Sequence, residues 1–188
     1  NTIVTITDAN LCSEVFTSIA TVYEPDEILV TPTKTDISCN GLTDGTVNIT
    51  VTGGIAPYNF SWSGSGGPFS NDQNLTGLGA DTYSLNITDV NNCPVSFPNL
   101  VTISEPDAII ATYVSHINVS CNGNSDGSIE IDVIGGTLPL VFNWTNSSGT
   151  TVSTDEDPSG LPADSYSLTI TDASNCEAIY SDFVIVTE

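Results

Sequence analysis

The chain has 188 residues and a formal net charge of −22, with 23 Asp and Glu set against a single basic residue, Lys34. Nothing in it could neutralise phosphates, so nucleic acid is excluded as a partner and anionic lipid headgroups are disfavoured. The 5 cysteines form no Cys-x-x-Cys or Cys/His cluster, which argues against zinc and thiol redox chemistry and for disulfides in an oxidising compartment.

Taken in order, residues 1–25 read as the tail of a repeat unit. Asp8, Cys12, Glu24 and Pro25 return as Asp89, Cys93, Glu105 and Pro106. Two fuller units follow, at 26–106 and 107–188, offset by about 80 residues. Each contains Cys-Asn-Gly-x-x-Asp-Gly (Cys39 to Gly45, Cys121 to Gly127), then an alternating run and a Gly-Gly pair (Gly53-Gly54, Gly135-Gly136). Because the sequence opens midway through a unit, it is expected to be a window on a longer exported protein. No apolar run is long enough to span a bilayer as a helix.

Period-two alternation marks strands at 46–51 and 128–133, at 83–88 and 166–171, and at the closing segments 100–103 and 183–186. The segments 59–62 and 142–145 hold Trp62 and Trp144, and the first strand of the last unit is expected at 108–114. Gly, Pro, Asn and Asp clusters separate these runs, the pattern of a β-sandwich. The expected fold is all-β: tandem immunoglobulin-like sandwiches of about seven strands each, stacked end to end. Trp62 and Trp144 should fill the cores, with carbohydrate stacking as the alternative. Tyr83 and Tyr166 should form tyrosine corners. The proline-stiffened junctions Glu24-Pro25-Asp26 and Glu105-Pro106-Asp107 leave no flexible linker.

The run Ser-Cys-Asn-Gly-x-x-Asp-Gly, followed by Gly-Gly-x-x-Pro-x-x-Phe-x-Trp and Leu-x-Ala-x-x-Tyr-Ser-Leu-x-Ile-Thr-Asp-x-x-x-Cys, occurs twice and resembles the SprB repeat. That resemblance implies a cell-surface adhesin of a gliding bacterium, exported by the type IX route. It also implies display outside the outer membrane and partnership with the secretion machinery and a surface motor.

The cysteines admit more than one pairing. In an immunoglobulin-like strand order, Cys39 and Cys93 lie at opposite poles, roughly 23 Å apart at 3.3 Å per residue, against the 4.4–6.8 Å between Cα atoms that a disulfide needs. A head-to-tail stack would instead bring Cys39 to Cys176, leaving Cys12, Cys93 and Cys121 to bond units further along. This inter-unit bridge is the preferred scheme, and the intra-unit pairing stays open because it depends on the strand order. The same poles gather Asn40, Asp44, Glu105, Asp107 and Asp172, oxygen donors of the kind calcium takes. The plainer reading makes Asp44-Gly45 and Asp126-Gly127 hairpin turns, and Asp89 and Asp172 side-chain turns.

No catalytic residues are expected, and no cofactor is required. His116 is the only histidine, without a nucleophile motif around it, and Asp155-Glu156-Asp157 reads as a solvated acidic loop. The expected function is a structural spacer in a long surface filament, whose partners are neighbouring repeats and, through other parts of the protein, surface polysaccharide. The alternatives are that the repeats are themselves a carbohydrate- or surface-binding module, or a stalk beneath a secreted hydrolase.

Overall fold

The computed structural model describes residues 3–18, 20 and 23–188. It is all-β, with no helix among the described residues. The chain opens with a two-stranded hairpin of β1 (Ile3–Thr7) and β2 (Ser13–Thr17), exposed along its length. The first module follows as β3 (Leu29–Thr35), β4 (Gly45–Thr52), β5 (Asn59–Gly64), β6 (Gly67–Ser70), β7 (Leu75–Leu78), β8 (Asp81–Thr88) and β9 (Pro94–Ile103). These make two antiparallel sheets, ordered β3-β4-β7 and β6-β5-β8-β9. The second module repeats the plan with β10 (Ile110–Ile117), β11 (Gly127–Ile134), β12 (Val141–Thr145), β13 (Thr151–Ser153), β14 (Ser159–Leu161), β15 (Asp164–Thr171) and β16 (Glu177–Val186). Its sheets are ordered β10-β11-β14 and β13-β12-β15-β16.

Alternation explains the packing. In β4 and β8 the residues Val47, Ile49, Tyr83, Leu85 and Ile87 are buried while their neighbours face outward. Each module has its own apolar cluster, one running from Ile28 to Ile103 and the other centred on Trp144, Tyr166 and Leu168. Trp62 and Trp144 are both 0% exposed. Their indole N–H groups donate to the Asp72 and Asp155 carbonyls, at 2.9 and 3.1 Å. Neither ring is open to a sugar. Tyr83 and Tyr166 form corners, their hydroxyls donating to the Gly79 and Pro162 carbonyls, which satisfies a phenol that is otherwise buried.

Three expectations need correction. The first strand of the second module is Ile110–Ile117 rather than 108–114, because Asp107 and Ala108 are held against the Gly-Gly turn: Gly136 N–H donates to the Asp107 carbonyl. The closing strands begin earlier than their apolar runs suggest, at Pro94 and Glu177. A bulge interrupts each. Between the pairs Leu85↔Phe97 and Tyr83↔Val101 the register slips, with Asn99 in the left-handed region (φ 52°) and its N–H donating to the Ser84 hydroxyl. Asp182 (φ 48°) and Ser167 do the same in β16. A bulge resets the inward face, so the alternation breaks where the strand does not.

Nor are the Asp-Gly pairs hairpin turns. Gly45 and Gly127 open β4 and β11, and a Cβ on Gly45 would lie 2.8 Å from the Ile103 side chain and 3.0 Å from the Leu78 carbonyl. Glycine is needed there for closeness of approach. Gly53 is required more strictly, with φ at 75° and an added Cβ 1.9 Å from the Glu27 carbonyl; Gly135 repeats this against Ala108.

The joint between modules as candidate functional site

The downstream pole of the first module is the loop from Asp36 to Asp44. It is pinned to the end of β9, since Ile37 N–H donates to the Ser104 carbonyl at 3.0 Å and Ser104 N–H donates to Asp36 at 2.8 Å. Lys34 reaches both Asp36 and the Thr102 carbonyl, at 2.7 and 2.6 Å. The lysine hydrogen bond, with help from Ser104, holds the Asp36 carboxyl down to about 2. Within the loop, Asp44 accepts from both the hydroxyl and the N–H of Ser38, and the Ser38 hydroxyl bond chiefly lowers its pKa. Ser120 and Asp126 repeat this arrangement in the second module.

That loop then grips the connector. Gly41 N–H donates to the Glu105 carboxylate at 2.8 Å, and the Asn40 side-chain amide donates to the Pro106 carbonyl at 3.1 Å. In the second module the equivalent side chains meet directly, Asn122 donating to Glu188 at 2.9 Å.

The upstream pole of the second module is the hairpin between β15 and β16. Asp172 is almost wholly buried, yet it needs no counter-ion, because backbone N–H groups surround it. It accepts from Thr137 at 2.9 Å, Ser174 at 2.8 Å and Cys176 at 2.9 Å. The bonds from Thr137 and Cys176 lead in lowering its pKa. A carboxylate suits the position because its two oxygens together accept N–H donors from within the hairpin and from Thr137 outside it, and those bonds favour the ionised form. Asp89 does the same for Ile55, Asn91 and Cys93, and Asp8 for Asn10 and Cys12. The cage fixes the direction of the cysteine that closes each hairpin.

Across the joint Cys39 and Cys176 are joined by a disulfide with their Cα atoms 5.6 Å apart. Cys176 is buried, whereas Cys12, Cys93 and Cys121 are free and exposed. A groove lies beside the bridge, lined by Asn40, Leu42, Pro106, Asp107, Asn175 and Glu177.

The candidate calcium donors do not converge. Asp44 turns back into its own loop, Glu105 and Asn40 serve the grip, and Asp172 is enclosed by its hairpin. Among the described residues no group of three or more His, Cys, Asp or Glu is placed to hold a metal ion. His116 accepts from or donates to the Tyr113 hydroxyl at 2.7 Å on β10. In the acidic loop Asp157 accepts the Ile131 N–H. The sequence offers Asn40 and Glu105 as possible calcium donors and does not reveal their grip on the connector. The signal was present, because an Asn in the loop and a Glu just past the closing strand recur together as Asn122 and Glu188.

Against known proteins, no curated sequence matches the chain. The family model of the SprB repeat matches at residues 31–67 and 117–149. Each matched segment takes in the cysteine loop, the strand after it, the Gly-Gly turn and the tryptophan strand. One matched segment of the SprB repeat therefore falls in each sandwich.

Proposed function

We propose that this chain is a non-catalytic spacer segment of an extracellular filament, which holds a distant adhesive element away from the cell. SprB repeats mark adhesin-like repeat regions of cell-surface proteins. The observation that carries the spacer reading is the joint, in which a disulfide, two loop-to-connector hydrogen bonds and a proline leave consecutive modules no slack. A binding module has no need of so firm a junction; a rod does. The net charge of −22 suits a filament that must stay soluble and extended, since like charges repel along its length. Its immediate partners on this reading are neighbouring repeats. Export by the type IX route and traction by a surface motor belong to the same proposal.

The test is a pair of measurements on the isolated chain. Small-angle scattering should give an elongated particle in which each module adds about 35 Å, the length of a ten-residue strand. Binding assays against cell-surface polysaccharides should show no retention. Saturable binding of a polysaccharide by this chain would overturn the spacer reading in favour of a binding module.

A further inference from the structure

The bridge does more than fasten the joint, because of where it enters each module. Cys39 follows β3, which runs from the upstream to the downstream pole of the first module as the edge strand of its sheet. Cys176 precedes β16, which runs pole to pole through the second module and is likewise an edge strand. The bridge therefore splices the end of one extended edge strand to the start of the next.

We infer that this chain is an inextensible tension strut, in which pull travels through β3, the Cys39–Cys176 bond and β16 and bypasses everything between. The bond closes off a sequence separation of 137 residues. Those residues include β4 to β15, and so the larger part of both cores. None of them is in series with the load. Without the bridge, a sandwich under tension lengthens by unzipping its ladders and paying out its chain. With it, unzipping releases nothing, because the path from β3 to β16 is already covalent. That path is also nearly taut, since a strand rises about 3.3 Å per residue and a chain reaches at most about 3.6 Å.

Cys93 occupies the hairpin position of Cys176, Cys121 the loop position of Cys39, and both are exposed. Where further repeats flank the chain, the same splice can recur at each joint. The biological use of the device rests on the spacer reading; the device itself rests on which atoms are bonded.

The experiment is force spectroscopy of the full chain held by terminal peptide tags. The oxidised protein should fall short of its full contour by about 450–490 Å, the length of 137 residues. Adding dithiothreitol, or substituting Cys39→Ser, should restore that length as two module-unfolding steps. Cys93→Ser and Cys121→Ser should leave the shortfall as it is. Full contour from the oxidised wild type, or a Cys39–Cys93 linked peptide on non-reducing mapping, would overturn the strut. Polysaccharide binding would remove the spacer reading and leave the shortfall untouched.

Discussion

Breaking the bridge should weaken both modules, and by similar amounts. With the first module folded, Cys39 and Glu105 stand close together, because Gly41 donates to Glu105 at 2.8 Å. Unfolding the second module alone then frees a loop from Glu105 to Cys176. The chain-entropy relation assigns the closure of such a loop about 4 kcal/mol. Unfolding the first module against a folded second one frees the segment from Cys39 to Asp107, of similar length, and the same relation again gives about 4 kcal/mol. For a domain of this size that corresponds to a fall in Tm on the order of 15 °C or more. The assay is calorimetry of the oxidised wild type against Cys39→Ser, with Cys93→Ser and Cys121→Ser as controls that should not move. If Cys39→Ser melts within about 3 °C of the wild type, or if only one module is affected, the loop argument fails.

The acid limb of stability should follow the caged aspartates. Asp89 and Asp172 both have pKa values lowered from 3.8, chiefly by backbone N–H donors. The stability they supply is present above that value and is lost as pH falls through their lower folded values. In a Tm series from pH 5 to pH 2, the double variant Asp89→Asn/Asp172→Asn should be less stable at pH 5 and lose less on acidification; a parallel curve would refute the assignment. Gly53→Ala should cost more than about 3 kcal/mol in denaturant unfolding, since it combines a disfavoured φ with a backbone collision. Tyr166→Phe should cost about 1 kcal/mol, the net worth of its corner hydrogen bond. At matched ionic strength calcium and magnesium should give the same Tm, because Asp44, Glu105 and Asp172 already accept N–H donors; a calcium-specific rise would restore the cation reading.

Much of the fold was legible because one face of each strand is buried. Alternation around Val47 and Ile49, or Leu168 and Ile170, reports that face directly. Legibility ended where tertiary contacts decide. Asn99 and Asp182 bend their strands through a serine on the next strand, and no local pattern announces such a partner. The short strands β6, β7, β13 and β14 are glycine- and serine-rich ribbons fixed by pairing rather than propensity. Gly45 looks like a turn residue in sequence and proves to be a tight-packing one, a distinction that needs the position of Ile103. At the joint, repetition identifies which residues matter but leaves their chemistry open between a cation site and internal hydrogen bonds. A carboxylate beside an amide suggests a cation until the N–H groups of Gly41 and Ser38 are seen to claim it.

Outside a cell, a polymer meets peptidases as well as pull. Because the bond between Cys39 and Cys176 closes most of the chain into a ring, a single nick anywhere between those residues leaves two fragments still tethered to each other. Parting its two ends takes a reductant as well as a cut, so singly clipped copies should run as one band on a non-reducing gel and go on holding whatever they hold.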